Sequence, residues 1–533
     1  MTRKKRILMC AESHTVKSGF GRYTYELLSR LYHNNNYEIA EFASYLKDDY
    51  IKDVPWKVYP NAPCDGSEEL NRYNSSPINR FGQWRFDKVI LDFRPDIVFD
   101  IRDYWMFSYQ ELSSLRPYYH WIIAPTIDSI PQKPEWLKTF ENADMVLTHT
   151  QWASDYLKRL NRPINIGPCV SDSVNPEEFK PIQWTKNYHK TKFGIPNDSF
   201  IIGSVMRNQK RKLIAELFSS LRELIDRTSN NKIFLYLHTS YPENGGWDIP
   251  ELLQEYNVYN NVLFTYYNPT SKIIFPSLYK GARTNCIFHE NQYAFFPNVS
   301  NGVSNSQLCD IYNLFDIYVQ YAICEGLGIP QLEAASCGIP IFAVNYSGMD
   351  ELTSILDGIK INYTLLKELE TGSDRAIPDN TDLVDKIIDW MNKSSKEKKD
   401  ISKNTRQLLV NNYSWDKTAE IWTSVFDKLE PKNIWHNPLL TQPDLPVPQI
   451  ISNRDFVYFI VNNILKEPQL NNTYYIQSII KSLDENFAIS NSKVSQTQRQ
   501  DFIRTLETLL NNKIYCEKVR SGDIIMNENF LNK

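Results

Sequence analysis

Residues 325–340 read Glu325-Gly326-Leu327-Gly328-Ile329-Pro330-Gln331-Leu332-Glu333-Ala334-Ala335-Ser336-Cys337-Gly338-Ile339-Pro340. They follow a short apolar run, 317–321, with the length and residue types of a buried strand, and 331–337 carries a helical pattern. Gly326 and Gly328 permit a tight turn that leaves backbone N–H groups exposed. A helix N-terminus beside such a turn favours anionic oxygens, so a phosphate is its natural guest. Two carboxylates flank the turn, Glu325 in the loop and Glu333 about two helical turns further on. A carboxylate pair of this kind suits the vicinal hydroxyls of a sugar or a ribose.

Outward from this unit the same alternation repeats on both sides. Short apolar runs at 6–11, 97–101, 121–125, 145–149 and 165–170 are separated by amphipathic stretches such as 23–32 and 152–160. A break containing Pro176, Pro181 and Pro196 follows. A second series has runs at 200–206, 232–238, 262–266, 317–321, 340–344 and 359–363, with helices expected at 213–227, 331–337 and 381–392. Buried strands alternating with helices predict an α/β fold of two tandem Rossmann-like doubly wound domains. The expected boundaries are 1–180 for the first, N-terminal domain and 181–430 for the second, with a loop insertion near 267–307. A proline-rich linker at 431–449 and a small helical appendage at 450–533 complete the chain. Ligands of such sheets lie at the carboxyl ends of the strands, and with two domains the cleft between them is the expected site.

The composition narrows the classes. The chain has 533 residues, 42% of them hydrophobic and 23% charged, which excludes a disordered or low-complexity protein. A formal net charge of −4 excludes a protein that binds by blanket phosphate neutralisation. The eight cysteines form no C-x-x-C pair and read as reduced thiols. Cys286 and His289 could supply two zinc ligands, with His238 and Cys309 as partners that no spacing supports; an ordered loop is the favoured reading. The opening Met1–Glu12 is too short in its apolar part for a signal peptide, and no 18-residue apolar run exists, so a cytoplasmic protein is expected, with a peripheral membrane role open.

The motifs together resemble those of retaining, GT-B-fold, family-4 glycosyltransferases over about residues 5–428. Glu325…Glu333 resembles the E-x7-E signature, and Ser18-Gly19-Phe20-Gly21 the glycine loop after the first strand. Gly203…Arg207 with Lys212 is similar to the G-x-x-x-R…K phosphate clamp. Asn175…Pro181 and Tyr346…Glu351 resemble the stretches that end the first domain and follow the next strand. The resemblance implies that Arg207 and Lys212 bind the diphosphate of a nucleotide-sugar and stabilise it as it leaves. It implies that Glu325 contacts the donor sugar, that Glu333 holds the nucleotide ribose, and that the backbone of Gly19, Gly21, Gly326, Leu327 and Gly328 approaches the ligand. The donor is then a substrate, and no separate cofactor is expected.

The first domain departs from the pattern. Where the family often carries a His in an H-x-P-like stretch, this chain reads His120 through Asp128. Asp128 is the expected catalytic substitute, with His120 as the other candidate, and Asp100 and Asp103 are similarly placed acids. No convincing D-x-D metal motif is present, which favours a metal-free reaction. The acceptor, expected to be a glycan or lipid-linked glycan with nucleic acid also open, is not written in these residues. A glycosyltransferase-like binding protein without turnover and a transferase acting on a modified nucleic-acid base are the alternatives. A Rossmann oxidoreductase is disfavoured because the first-strand loop lacks G-x-G-x-x-G. Self-association through residues 450–533 is a further expectation.

Overall fold

The computed structural model of the chain describes residues 3–113, 115–182, 186–285, 292–298 and 301–432. The first sheet has seven parallel strands in the order β3-β2-β1-β4-β5-β6-β7: β1 Lys5–Glu12, β2 Tyr37–Lys47, β3 Lys57–Ala62, β4 Ile97–Asp100, β5 His120–Ile123, β6 Met145–Thr148 and β7 Ile166–Cys169. Its central strands β1, β4 and β5 are buried on both faces. Ile7, Met9 and Ala11 of β1 enter one hydrophobic cluster while Leu8 and Cys10 enter the other, the period-two alternation of a doubly covered sheet.

The second sheet runs β12-β13-β10-β9-β8-β14-β15-β16, with β11 paired to β10. Its parallel core is β8 Phe200–Val205, β9 Ile233–His238, β10 Val262–Asn268, β14 Ile317–Gln320, β15 Ile341–Val344 and β16 Ile359–Ile361. The insertion expected as a loop instead adds antiparallel strands β11 Ile273–Leu278, β12 Arg283–Asn285 and β13 Tyr293–Phe295 at the sheet edge. Its aromatic content explains the ordering. Phe296 packs 5.1 Å from both Phe264 and Tyr266, and Tyr266 stacks on Phe275 at 5.6 Å. Cys286 and His289 lie outside the described residues; His238 bonds Thr265 at 2.9 Å, while Cys309 lies against Cys337. The 450–533 region also lies outside them.

Strand β2 escapes the sequence pattern because charged Glu38 and Glu41 interrupt its apolar run. Glu41 is nevertheless fully buried, accepting from His14 Nδ1 at 2.8 Å and from Trp56 Nε1 at 2.9 Å. The last described helix, Trp415–Lys428, falls within the range expected for the second domain but packs on the first sheet. Trp422 is fully buried, its ring 4.8 Å from Phe99, and its indole N–H donates to Tyr23 Oη at 2.7 Å. The chain therefore crosses back, and the first domain is completed by residues from both ends of the described structure. A second tie joins the domains through Glu351, whose carboxylate accepts from the backbone N–H groups of Gln151 at 2.9 Å and Trp152 at 2.6 Å, at the start of the helix Gln151–Arg159.

Candidate active site

In the parallel part of each sheet the strand order reverses at one place: between β1 and β4 in the first, and between β8 and β14 in the second. Crevices open at the carboxyl ends of strands at such switch points. The segments that leave these strands carry Gly19 and Gly21 in the first turn of a helix, Arg207 and Lys212, and the turn 325–328. The two sets meet. A Cβ on Gly19 would lie 2.9 Å from Ile329 Cδ1, and one on Gly326 would lie 2.4 Å from Thr126 Cγ2. Gly328 has φ +112 and starts the helix Ile329–Ser336, so the turn needs glycine for its backbone as well as for space. On the first side, Ser18 caps the helix Gly19–His33 by accepting from Gly21 N at 3.0 Å.

Glu325 is the electrostatic centre. It is buried at 8% exposure, and Lys212 Nζ pairs closely with its Oε1. Arg211 Nη1 lies 3.2 Å from Oε2, and Gln320 Nε2 donates to Oε1 at 3.0 Å. Ser347 braces the Glu325 backbone, its hydroxyl lying 3.2 Å from the amide nitrogen and 3.0 Å from the carbonyl oxygen. Burial pushes the Glu325 carboxyl up, but Lys212 and then Arg211 outweigh it and hold the group at about 2. The Lys212 ammonium is pulled down by burial, with Glu325 opposing and Arg211 adding to the fall. Two cations on one carboxylate leave the centre net positive, the sign that a diphosphate needs.

The two residues expected to form a phosphate clamp, Arg207 and Lys212, separate. Lys212 reaches Glu325, whereas Arg207 stays exposed and pairs with Glu243 beyond the end of β9. Lys210 lies over the Trp247 ring at 4.1 Å. Arg211, which the sequence shows only as part of a basic run, is the second cation on Glu325; its one signal is adjacency to Lys212. Glu333 is buried, accepts from Tyr312 Oη at 2.7 Å, and pairs with Arg22 from the first domain. Neither Arg22 nor Tyr312 has a local sequence signal, because each is brought to Glu333 from a distant helix.

The first-domain acids sort by depth. Asp128 is half-buried beside the turn, accepting from Cys324 Sγ at 3.1 Å and from Arg375 Nη1 at 3.2 Å. Arg375 comes from the hairpin of β17 Tyr363–Lys367 and β18 Asp374–Pro378. His120 is corrected as a candidate: it opens β5 at the amino end, opposite the site, and bonds the Glu430 carbonyl at 2.8 Å. Asp100 is likewise structural, fully buried in an ion pair with Arg102 and accepting from Gln110 Nε2 at 2.9 Å.

These two facing sheets, meeting at their carboxyl ends, have the GT-B architecture. Residues 298–408, which include the Glu325–Glu333 unit, match the family of glycosyl transferases group 1. Sucrose-phosphate synthase from Thermosynechococcus elongatus is similar in structure, with a TM-score of 0.59 at 14% identity over 80% of this chain and 99% of that one. Anabaena Alr3699/HepE in complex with UDP and glucose has a TM-score of 0.54 at 13% identity over 80% of this chain and all of that one (100%). The trehalose-6-phosphate structure from E. coli bound with UDP-2-fluoro glucose gives 0.54 at 13% identity, with 80% and 100% covered. No curated protein sequence matches the chain.

Proposed function

We propose that the protein is a retaining glycosyltransferase of the family-4 type, transferring a sugar from a nucleotide-diphosphate sugar to a hydroxyl acceptor without a metal ion. The observation that carries this reading is the buried Glu325 with Lys212 and Arg211 converging on it, one turn before a helix N-terminus. Glycosyl transfer builds negative charge on the departing diphosphate and positive charge on the anomeric carbon. Lys212, Arg211 and the N–H groups of the turn stabilise the former, and Arg207 reaches it on leaving Glu243. One such donor contributes about 2.7–4 kcal/mol in a comparable oxyanion hole. As the diphosphate draws Lys212 away, Glu325 is freed to accept from the donor sugar's hydroxyls. Glu333 holds the ribose and Asp128 borders the sugar from the first domain. Attack comes from the donor face, with the leaving phosphate taking the acceptor's proton. UDP-sugars are the donors to test first, since UDP and a UDP-sugar occupy the similar folds from Anabaena and E. coli.

The test separates the two glutamates. Glu325→Gln is expected to lower turnover while free UDP still binds. Glu333→Ala is expected to weaken free UDP by about tenfold to a hundredfold, the 1.5–3 kcal/mol of a hydrogen bond to a charged group. Calorimetric titration of UDP and of the UDP-sugar reads both effects; equal losses from both variants would undo the assignment. Turnover is expected to survive EDTA, and loss on chelation with recovery on adding Mg²⁺ would overturn the metal-free reading.

A further inference from the structure

At the carboxyl edge of the first sheet, the edge from which the chain enters the proposed site, two large aromatic side chains are exposed. Tyr45 follows the last β1–β2 pair, Glu12 with Ser44, and is 41% exposed. Trp105 stands in the short helix Tyr104–Phe107 after β4 and is 50% exposed. Both meet buried Phe81 edge-on, Tyr45 at 5.7 Å and Trp105 at 4.8 Å. Phe81 is itself held, its carbonyl accepting from Arg102 Nη1 at 2.8 Å and from Tyr109 Oη at 2.9 Å. Tyr45 has φ +69, a conformation that bulky residues rarely adopt. Strain of this kind collects at binding sites.

The polar edge of this platform carries Asp103 and Glu12, with Arg80 and Arg102 also acting on Tyr45. Asp103 occupies the N-cap position of Tyr104–Phe107, and its carbonyl accepts from Met106 N at 2.9 Å, but its carboxylate makes no capping bond to that helix. Its carboxyl is pushed up to about 6, chiefly by burial; Asp128 and Glu12 add to the rise, while Thr126 and Arg211 oppose it. Thr126 lies against Gly326, so Asp103 borders the turn that carries Glu325. Aromatic faces beside a few aimed acceptors suit a pyranose ring, which has an apolar C–H face and a rim of hydroxyl donors.

We propose that Tyr45 and Trp105 form the acceptor platform, that the acceptor is a carbohydrate whose pyranose ring stacks there, and that Asp103 accepts a hydrogen bond from one of its hydroxyls. This deepens the glycosyltransferase reading and rests on it.

The experiment uses the full chain with saturating UDP. It measures saturation-transfer NMR with p-nitrophenyl glycosides of glucose, galactose, mannose, N-acetylglucosamine and rhamnose. At least one glycoside is expected to bind. Trp105→Ala and Tyr45→Ala are each expected to weaken it by about tenfold, with recovery in Trp105→Phe and Tyr45→Phe. Wild-type affinity is expected to rise as pH passes upward through about 6, where Asp103 becomes the stronger acceptor, and to lose that rise in Asp103→Asn. A separate UDP-sugar thermal-shift arm keeps the two readings distinguishable. Donor binding with no glycoside bound overturns the platform alone, and so does glycoside binding unchanged in Trp105→Ala and Tyr45→Ala. Trp105-dependent binding of a single-stranded oligonucleotide in place of the glycosides overturns the carbohydrate assignment. Failure of both arms overturns the function on which the platform rests.

Discussion

Glu325 shows how one residue's chemistry depends on its neighbours. An isolated buried carboxylate would take up a proton; Lys212 and Arg211 keep this one charged. Lys212→Ala is expected to cut turnover by about a hundred- to a thousandfold. It also breaks a buried pair, which costs about 3–5 kcal/mol, and we expect the lower end because Arg211 remains on Glu325. Arg211→Ala is expected to cut turnover too, whereas Lys210→Ala leaves it near wild type because that ammonium sits over Trp247. Equal damage from all three, read in steady-state kinetics, would reduce the centre to a diffuse basic patch. The pH dependence follows from the same group. Folded Glu325 titrates near 2 against 4.5 when free, so between those values the unfolded chain binds more protons. The stability it contributes is present above about 4.5 and is lost as pH falls towards 2. Urea unfolding of wild type and Glu325→Gln is expected to converge across that window, and a constant gap between them would refute the low value.

At the level of elements, the helix Trp415–Lys428 decides whether the first domain has a complete core. Trp415, Ala419, Trp422, Val425 and Phe426 share one cluster with Ile7, Met9, Phe99 and Ile122. Their spacing puts them on one face of the helix, as an amphipathic pattern requires. Trp422→Ala is expected to destabilise the protein by about 3–5 kcal/mol, measured as the shift in denaturant midpoint. A change of a few tenths of a kcal/mol would mean that the helix only rests on the sheet.

For the whole molecule, this crossing sets where the chain can be cut. A chain ending at 449 keeps the helix that closes the first domain, so it is expected to fold and to bind the UDP-sugar like the full protein. A chain ending at 412 loses that helix and is expected to expose the apolar face of β1 and β4 and to aggregate. Size-exclusion chromatography with a UDP-sugar thermal shift reads both outcomes; a soluble, donor-binding chain ending at 412 would refute the role given to the crossing. The domains are also tied by Arg22 to Glu333, Arg375 to Asp128, and Glu351 to the helix Gln151–Arg159. Binding of the proposed donor is therefore expected to exchange existing polar contacts rather than to fill a bare cleft.

The short continuous apolar runs of β1 and β8, the helical pattern after Gly328 and the Gly326/Gly328 turn are local properties, so residue order alone determined the alternating architecture and the position of Glu325 and Glu333 in it. Strand β2 was hidden because its buried Glu41 is satisfied only by His14 and Trp56, partners distant in sequence. The apolar run at 121–125 already placed Asp128 after the strand and His120 before it, but the contacts of Asp128 with Cys324 and Arg375 came only from the second domain. Arg22 on Glu333, Arg375 on Asp128 and the return of Trp422 to Phe99 join residues hundreds of positions apart. Only the packing of the two sheets decided those contacts, because the burial and the partner that settle a charged or aromatic side chain's role are supplied by elements it does not adjoin in the chain.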